Sequence, residues 1–201
     1  MSLAEVRYSA QQIHERVVEL GEQVRSDLAG ETPLLVAVLK GSVIFVADLA
    51  RTIGSDLEVD FISVSAYEGG SRETGRVKIV KDLDSPIEDR HVILVEAIVD
   101  TGLTLAFLVR SLSARNPKSL RVCALFDKPI RRIAQPDIHY KGFETPEYVV
   151  GYGLDFKGRY RNLPYVVGVK DVPALAARPD ALNAFFGGLE GGTQSVSPML
   201  R

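Results

Sequence analysis

The residues in this sequence with the clearest potential for chemistry are two carboxylates and two threonines grouped around one glycine. Glu96 follows the apolar run 92–95, and three apolar residues later comes a short loop of Asp100, Thr101, Gly102, Leu103 and Thr104. If a helix begins at this loop, its first N–H groups are unpaired and lie at the positive end of the helix dipole, which favours phosphate binding. Gly102 lets the backbone approach a ligand, and the threonines add hydroxyl donors. The segment therefore predicts a site for a monophosphate, with carboxylates beside it for ribose hydroxyls or a base.

Other interpretations of this segment have to be weighed. Taken alone, an acid followed by a threonine that caps a helix is commoner than any active site. The triplet Asp-Thr-Gly also occurs in aspartic proteases, but that site needs an all-β setting and a second aspartate loop, whereas strands and helices alternate in this chain. The glycine spacings of a Rossmann dinucleotide site and of a Walker P-loop are both missing.

The elements that must position these residues are predicted from apolar periodicity and turn residues. Helices are predicted over 9–28, 43–53 and 105–114, and strands over 34–39, 59–64, 77–80, 91–95, 120–126, 149–150 and 165–169. Continuous apolar runs such as 34–39 are typical of parallel strands that are covered on both faces. The alternation predicts an α/β fold with a mainly parallel sheet, in which ligands bind beyond the carboxyl ends of the strands.

The first helix has a defined start and a defined buried face. Ser9 and Gln12 form the pattern of a capping box, and Gly30 marks the end. One stripe of apolar residues at helical spacing should face the core, namely Ile13, Val17, Leu20, Val24 and Leu28.

Two segments are predicted to lack regular structure. The polar, glycine-rich stretch 68–75 predicts a mobile loop, and the Gly- and Ser-rich tail from about 187 to 201 is expected to fray. No internal repeat or interdomain linker is visible, so a single domain over residues 1–201 is predicted.

Composition excludes several classes of function. The chain has 201 residues, 46% hydrophobic and 25% charged, with a net charge of −2, which favours neither nucleic acid nor an anionic membrane as partner. The single cysteine, Cys123, rules out an intrachain disulfide and a cysteine metal cluster. The first residues lack the basic and then apolar order of a secretory signal, and no apolar run approaches the ~20 residues of a membrane span. A cytoplasmic location is therefore expected.

The segment 95–104 resembles the phosphoribosyl-diphosphate motif of type I phosphoribosyltransferases. That motif is an apolar strand, two adjacent acids, two apolar residues and then Asp-[Thr/Ser]-Gly-x-Thr. Further segments resemble the hypoxanthine-guanine branch of the family and follow in order between about residues 9 and 169: 38–42, 59–61, 81–84, 126–129, 148–155 and 161–165. The resemblance implies a mainly parallel twisted sheet flanked by helices, with a small hood formed by chain-terminal segments. It also implies transfer of ribose 5-phosphate from phosphoribosyl diphosphate to a purine, with Mg²⁺.

The resemblance implies roles for individual residues around the purine and the 5′-phosphate. Asp100 matches the general acid/base near purine N7, and loop 101–104 (Thr101, Gly102, Leu103, Thr104) would hold the 5′-phosphate. Lys128 matches the lysine that donates to O6 and so selects 6-oxopurines over adenine. Tyr148 matches the aromatic that stacks on the base, and Val149 the residue whose backbone contacts its 2-position.

A second set of roles concerns ribose, diphosphate and metal. Lys40 and Gly41 match the diphosphate loop, which in the family often contains a non-proline cis peptide bond, and Arg161 matches an arginine that meets the diphosphate. Asp155 matches a carboxylate that places Mg²⁺, and Glu96 is implied to contact both the ribose and the metal. Tyr67 begins the expected flap, 67–75, which would close over the reacting centre and exclude water.

Two positions depart from the family's pattern. Ala97 stands where the second of the paired acids is expected, and Ala66 where a serine usually precedes Tyr67. Each change removes a polar group near ribose or diphosphate, at a cost of ~1.5–3 kcal/mol. Adjacent strand residues point to opposite faces, so Glu96 should not replace the missing acid, and Ala97→Asp is predicted to tighten binding of a sugar ligand. An engineered substitution at Ala97 is an alternative origin of the departure.

Two classes of function follow. One is a purine phosphoribosyltransferase, with a purine base, phosphoribosyl diphosphate and IMP or GMP as its ligands, assembled as a homodimer or homotetramer. The other is a non-catalytic purine-nucleotide-binding regulator on the same fold. The near-neutral charge and the lack of an added N-terminal segment weigh against the regulator.

Overall fold

The computed structural model of the chain describes residues 3–66, 77–187 and 195–196. Its strands are β1 Ala4–Tyr8, β2 Leu34–Leu39, β3 Glu58–Ala66, β4 Val77–Lys81, β5 His91–Val99, β6 Ser119–Asp127, β7 Tyr140–Glu144, β8 Tyr148–Val150, β9 Val166–Val169 and β10 Ser195–Val196. Its α-helices are α1 Ala10–Asp27, α2 Val43–Ile53, α3 Leu103–Ser113 and α4 Val172–Ala177, with 3₁₀ turns at Pro129–Arg131 and Pro179–Gly187. The chain divides into two compact units, one formed by Val17–Thr145 and the other by Met1–Arg16 together with Pro146–Arg201.

The larger unit is built on a six-stranded sheet in the order β4-β3-β2-β5-β6-β7. Strands β3, β2, β5, β6 and β7 run parallel to their neighbours, and β4 pairs antiparallel with β3. The carboxyl ends of five strands therefore lie along one edge of the sheet. The predicted α/β fold with a mainly parallel sheet is confirmed.

One core cluster of the larger unit lies between this sheet and α3. Alternate residues of β2 and β5 pack there with Leu105, Leu108 and Leu112 of α3, all of them buried. The strands are apolar on both faces, as expected of parallel strands covered on both sides. This packing fixes the ends of β5 and β6 and the start of α3, where the predicted site residues lie.

The predicted capping box and buried face of the first helix are confirmed. The Ser9 backbone N–H donates to Gln12 Oε1 at 2.9 Å, and the Gln12 N–H donates to Ser9 Oγ at 3.2 Å. Gly30 has a φ of 82°, as a helix-ending glycine requires. All five residues of the predicted apolar stripe are at most 6% exposed.

The boundaries differ from the sequence-based ones in ways that matter for the site. Strand β5 runs four residues beyond the predicted end at 95, so Glu96 lies inside the strand and Asp100 directly follows it. Strands β1, β7 and β10 and helix α4 were not predicted. Strands β1 and β7 are short and rich in polar residues, and β7 contains Gly142, so their sheet pairing outweighs weak local propensity.

The smaller unit contains a four-stranded antiparallel sheet in the order β10-β1-β9-β8. Its core includes Val150, Val167, Leu175, Leu182 and Phe185. Two separate terminal parts of the chain thus form one unit, in agreement with the expected hood of chain-terminal segments. Within the described residues, no helix has the length and apolarity needed to cross a membrane.

Two predicted features fall largely outside the described residues. The expected flap, 67–75, with Tyr67 at its start, lies outside them. Of the expected frayed tail, 187–201, only Gly187, Ser195 and Val196 are described, and the last two form β10.

Candidate active site

The predicted site residues of the larger unit gather at the carboxyl edge of its sheet. Lys40 follows β2, Asp100 follows β5 and Lys128 follows β6, and these three strands are consecutive and parallel. In an open α/β sheet, ligands are expected to bind at this edge. The fold therefore brings together residues that are 28 to 88 positions apart in the sequence.

The loop predicted to bind phosphate leads directly into α3. Gly102 is the N-cap, with a φ of 79° and no side-chain capping hydrogen bond. A Cβ atom at Gly102 would overlap the Ala134 carbonyl oxygen and lie 2.9 Å from Arg132 Cδ. The N-cap of α3 is therefore a glycine that has no room for a side chain, although Thr101 Oγ1 accepts a hydrogen bond from the Leu103 N–H at 3.4 Å. The other N–H groups of the first turn of α3 remain available to an anion.

Asp100 presents a carboxylate that is only partly satisfied by the protein. Its side chain is 37% exposed, and Oδ2 lies 3.4 Å from Arg131 Nη1. Its Oδ1 atom is buried and has no hydrogen-bond partner among the described residues. A buried acceptor without a partner is costly, which makes this oxygen a candidate contact for a substrate proton donor.

The segment 128–134 packs against this loop, and beyond Lys128 and Pro129 it was not identified from the sequence. The Lys128 N–H donates to the Val99 carbonyl at 2.9 Å, and the N–H groups of Ile133 and Ala134 donate to the Thr101 carbonyl at 2.8 and 3.0 Å. Arg132 adds bonds from Nε to the Asp100 carbonyl at 3.0 Å and from Nη2 to the Val99 carbonyl at 3.2 Å. The only sequence signal was a pair of arginines after a strand end.

Arg132 also forms an ion pair with Asp127, and both side chains are 7% exposed. Lys141 contributes a second cation, with Nζ 3.1 Å from Asp127 Oδ2. Asp127 ends β6 and precedes Lys128. The ends of β5 and β6 are thus joined through one buried arginine.

Lys128 is 8% exposed, and its ammonium group forms no ion pair within the described part of the chain. A lysine is seldom this little exposed, and without an ion-pair partner its ammonium group keeps its donors for another group. Lys128 is therefore not a solvated surface lysine, and a polar ligand group would complete its environment.

The expected diphosphate loop follows β2. The peptide bond between Leu39 and Lys40 is cis, and Lys40 is the first residue of this loop. The Lys40 side chain is exposed, whereas Ser42 is fully buried and donates from Oγ to the Val38 carbonyl at 2.6 Å.

Glu96 and Ala97 face opposite sides of β5. Glu96 is partly buried, and desolvation raises the pKa of its carboxyl to about 8, partly offset by a hydrogen bond from the Ala97 N–H. Ala97 is 3% exposed. The geometry agrees with the argument that the two positions cannot do the same work, and the effect of Ala97→Asp stays a prediction.

The raised pKa of Glu96 predicts a pH dependence of stability in metal-free buffer. The unfolded state ionises Glu96 above about pH 4.5, whereas the folded state keeps its proton up to about pH 8. Unfolding therefore releases a proton in this interval, and the free energy of unfolding falls with rising pH, by at most ~5 kcal/mol at ~1.4 kcal/mol per pKa unit. Denaturant titrations of wild type and Glu96→Gln between pH 4 and 9 measure the effect.

The expected result is a difference between the two proteins. The stability of wild type relative to Glu96→Gln should be greatest below pH 4.5 and should decline until about pH 8. Parallel pH curves for the two proteins would contradict a desolvated, protonated Glu96.

The predicted site residues of the smaller unit form their own cluster. Arg161 Nη2 lies 2.7 Å from Asp155 Oδ1, and Arg161 Nη1 donates to the Gly153 carbonyl at 2.6 Å. Asp155 Oδ2 accepts from the Gly158 N–H at 2.7 Å. The Asp155 carboxylate and the Arg161 guanidinium are each about 30% exposed, so both can still meet a ligand.

Tyr148 is tied to the same cluster. Its hydroxyl donates to the Asp155 carbonyl at 3.0 Å, and its ring packs edge to face with Phe156, with centroids 6.2 Å apart. Burial and then the Asp155 carboxylate raise the pKa of the Tyr148 hydroxyl. Val149 is 5% exposed and pairs with Gly168 across β8 and β9. Tyr148 is half-buried, so part of its surface remains for a ligand.

The carboxylates present fit a magnesium ion that is shared with a substrate. Within residues 3–66, 77–187 and 195–196, no three His, Cys, Asp or Glu side chains gather into a metal-binding group. Mg²⁺ typically keeps several waters beside one or two carboxylates and substrate phosphates, and does not need an all-protein cage. Asp155 in the smaller unit and Glu96 in the larger unit are each, taken separately, a predicted ligand.

Comparison with known proteins finds phosphoribosyltransferases at the level of sequence. The sequence profile of the phosphoribosyl transferase domain matches residues 8–157. A hypoxanthine-guanine phosphoribosyltransferase of Streptococcus mutans is 46% identical over 85% of this chain and 95% of its own length. One of Mycobacterium avium is 49% identical over 80% of this chain and 83% of its own.

Solved structures are similar as well. A hypoxanthine-guanine phosphoribosyltransferase from Bacillus anthracis superposes with a TM-score of 0.78 at 45% identity, covering 82% of this chain and 97% of that one. A hypoxanthine phosphoribosyltransferase from Trypanosoma cruzi, in complex with the product IMP, has a TM-score of 0.78 at 33% identity, covering 83% of this chain and 94% of that one.

Proposed function

Because the chain belongs to the phosphoribosyl transferase family, we propose that it is a purine-salvage enzyme. It converts hypoxanthine or guanine and phosphoribosyl diphosphate to IMP or GMP and diphosphate. The observation that carries this assignment is the loop that joins β5 to α3, where Asp100 with an unpartnered Oδ1 directly precedes an anion-binding helix start.

The proton transfer is assigned to Asp100. As purine N9 attacks C1′ of the sugar, the bond from C1′ to the diphosphate oxygen breaks and the diphosphate leaves with the electron pair. The proton on purine N7 passes to the Asp100 carboxylate, which relieves the positive charge that would otherwise build up on the base. Residues 101–104 hold the 5′-phosphate through the N–H groups at the start of α3 and the threonine hydroxyls.

Lys128 is proposed to recognise the 6-oxo group of the purine. The ammonium group of this largely buried lysine donates to O6, whereas an adenine amine at this position would oppose one donor to another. The backbone N–H of Lys128 is bound to the Val99 carbonyl, so the lysine is held at a fixed distance from the β5 end.

The remaining roles concern the base, the sugar and the diphosphate. Tyr148 stacks on the base and the Val149 backbone contacts its 2-position, while Lys40, Gly41 and Arg161 bind diphosphate. Glu96 binds the ribose hydroxyls, and Tyr67 belongs to the flap. Asp155 and Glu96 are the carboxylates that would each be available to Mg²⁺, which would supply neutralising charge to the diphosphate.

Base selectivity gives a direct prediction. Lys128→Ala should weaken binding of hypoxanthine by ~2 kcal/mol, the scale of one hydrogen bond to a charged group, and should reduce discrimination against adenine. Competition by each base in a steady-state assay measures both effects. Lys118→Ala is the matched control, because Lys118 is 52% exposed and pairs with Glu31. Unchanged selectivity in Lys128→Ala would remove Lys128 from the base site.

The function itself is tested by a steady-state assay with hypoxanthine, guanine, xanthine or adenine together with phosphoribosyl diphosphate and Mg²⁺. Nucleotide should form from hypoxanthine or guanine, and formation should stop when Mg²⁺ is chelated. Tight binding of IMP or GMP without turnover of any base would instead support a non-catalytic regulator on the same fold.

The proposal also covers the domain organisation, the location and the assembly of the enzyme. It includes a single phosphoribosyltransferase domain, a cytoplasmic location and assembly as a homodimer or homotetramer, without nucleic acid or membrane as partner. Light scattering coupled to size-exclusion chromatography measures the assembly.

A further inference from the structure

We propose that Arg132 is a positioning residue for the reaction, which holds the backbone on both sides of Asp100 and links it to the strand that carries Lys128. The proposal rests on the function assigned above. It concerns a residue that touches neither of the proposed substrates and that acts through the loop it supports.

The first argument is the set of acceptors that one guanidinium reaches. Arg132 donates to the carbonyl of Val99, to the carbonyl of Asp100 and to the carboxylate of Asp127. The two carbonyls belong to successive residues at the β5 end, and Asp127 ends β6. A planar guanidinium carries donors in a fixed fork, so these three groups cannot move independently of one another.

The second argument is that these bonds occur where the backbone must leave its strand. Beyond Val99 the sheet ladder no longer supplies partners, and the φ of Gly102 turns the chain into α3. The carbonyls of Val99, Asp100 and Thr101 are all bound by the segment 128–134 instead. Among the described residues of that segment, Arg132 is the one whose side chain binds these carbonyls, whereas the Arg131 side chain lies beside the Asp100 carboxylate.

The third argument is burial. Arg132 and Asp127 are each 7% exposed, and such pairs are often no more stabilising than apolar residues of similar volume. Stability alone therefore gives a weak reason for this arrangement. Misplacement of a reacting group by about 1 Å can reduce turnover ~100-fold, which gives a stronger reason.

The decisive variant is Arg132→Lys. A lysine keeps the positive charge beside Asp127, but a single ammonium group cannot reproduce the forked contacts to both carbonyls. Arg115→Lys is the matched control, since Arg115 makes two bonds to the Asp82 carboxylate, at 2.8 and 3.0 Å, outside the loop. For each protein the measurements are unfolding midpoint, kcat, KM for both substrates, and amide hydrogen exchange.

We expect kcat of Arg132→Lys to fall ~100-fold while KM for the base changes by less than about threefold, because the chemical geometry is disturbed more than binding. The amides of Ile133 and Ala134, which are bound to the Thr101 carbonyl, should exchange at least about tenfold faster. Arg115→Lys should leave kcat and the exchange of both amides unchanged.

A second variant separates positioning from charge pairing. Asp127→Leu combined with Arg132→Met removes both buried charges, so it avoids leaving one of them unpaired. This double variant should fold and should still show the loss of kcat. A kcat near that of wild type in a folded double variant, or in Arg132→Lys, would overturn the proposal.

Failure of the assigned function would give a different result from failure of the positioning role. A wild-type protein without turnover for any base would refute the enzyme, yet the exchange of Ile133 and Ala134 in Arg132→Lys would still report whether Arg132 holds the loop. Unchanged exchange at these amides would overturn the positioning role by itself.

Discussion

Asp100→Asn is expected to reduce kcat for nucleotide formation by ~10²–10⁴-fold, because the amide cannot take the proton from purine N7. Asparagine has nearly the same shape, and the contacts that support the loop go to the Asp100 carbonyl, which the substitution leaves in place. Folding and nucleotide binding should therefore be close to those of wild type. Steady-state kinetics and calorimetric titration with IMP measure the two properties separately.

The control for this experiment is Asp56→Asn, a substitution of the same chemistry at an exposed turn between α2 and β3. It should leave kcat unchanged. If Asp100→Asn retains more than about a third of the wild-type kcat, the acid/base role belongs to another group and the proposed mechanism is incorrect.

Gly102→Ala should damage both stability and phosphate binding. A φ of 79° costs a residue with a Cβ ~1–2 kcal/mol, and here the added atom would also overlap the Ala134 carbonyl oxygen. The loop has to shift to relieve this overlap, and the shift moves the N–H groups that face the phosphate. We expect a loss of more than ~2 kcal/mol in the free energy of unfolding and a loss of at least ~10-fold in affinity for IMP.

Gly30→Ala provides a close control, since Gly30 has a φ of 82° and a Cβ added there would meet nothing within 4 Å. It carries the conformational cost without the overlap, so it should lose ~1–2 kcal/mol and keep full affinity for IMP. Equal effects of the two substitutions would show that the Gly102 loop has room to adapt and is not held by segment 128–134.

The two departures from the family's pattern, Ala97 and Ala66, lie at different places in the fold. Ala97 is buried on the face of β5 opposite to Glu96, so the ribose contact proposed for Glu96 is not duplicated by its neighbour. Ala66 ends β3 and directly precedes Tyr67, so it marks where the expected flap begins.

Much of the fold and of the site followed from the sequence. The capping box of Ser9 and Gln12, the buried stripe of α1 and the apolar strands β2, β5 and β6 are local patterns, and each is encoded within a few adjacent residues. The positions of Asp100 and Lys128 also followed, because parallel strands place their carboxyl ends at one edge and both residues come directly after such a strand. The short strands β1 and β7 escaped prediction because pairing partners, and not local propensity, hold them in the sheet.

Only the tertiary structure decided the surroundings of Glu96, Arg132 and Gly102. The pKa of Glu96 rises to about 8 because packing around β5 removes water from its carboxyl, and its sequence neighbours give no sign of this. Arg132 looks like a surface arginine in the sequence, yet folding buries it against carbonyls more than 30 residues earlier in the chain. Gly102 is needed both for its backbone angle and because Ala134 lies where a Cβ would be. Desolvation, buried ion pairs and steric exclusion depend on atoms from distant segments, so they arise only once the sheet has brought the ends of β5 and β6 together.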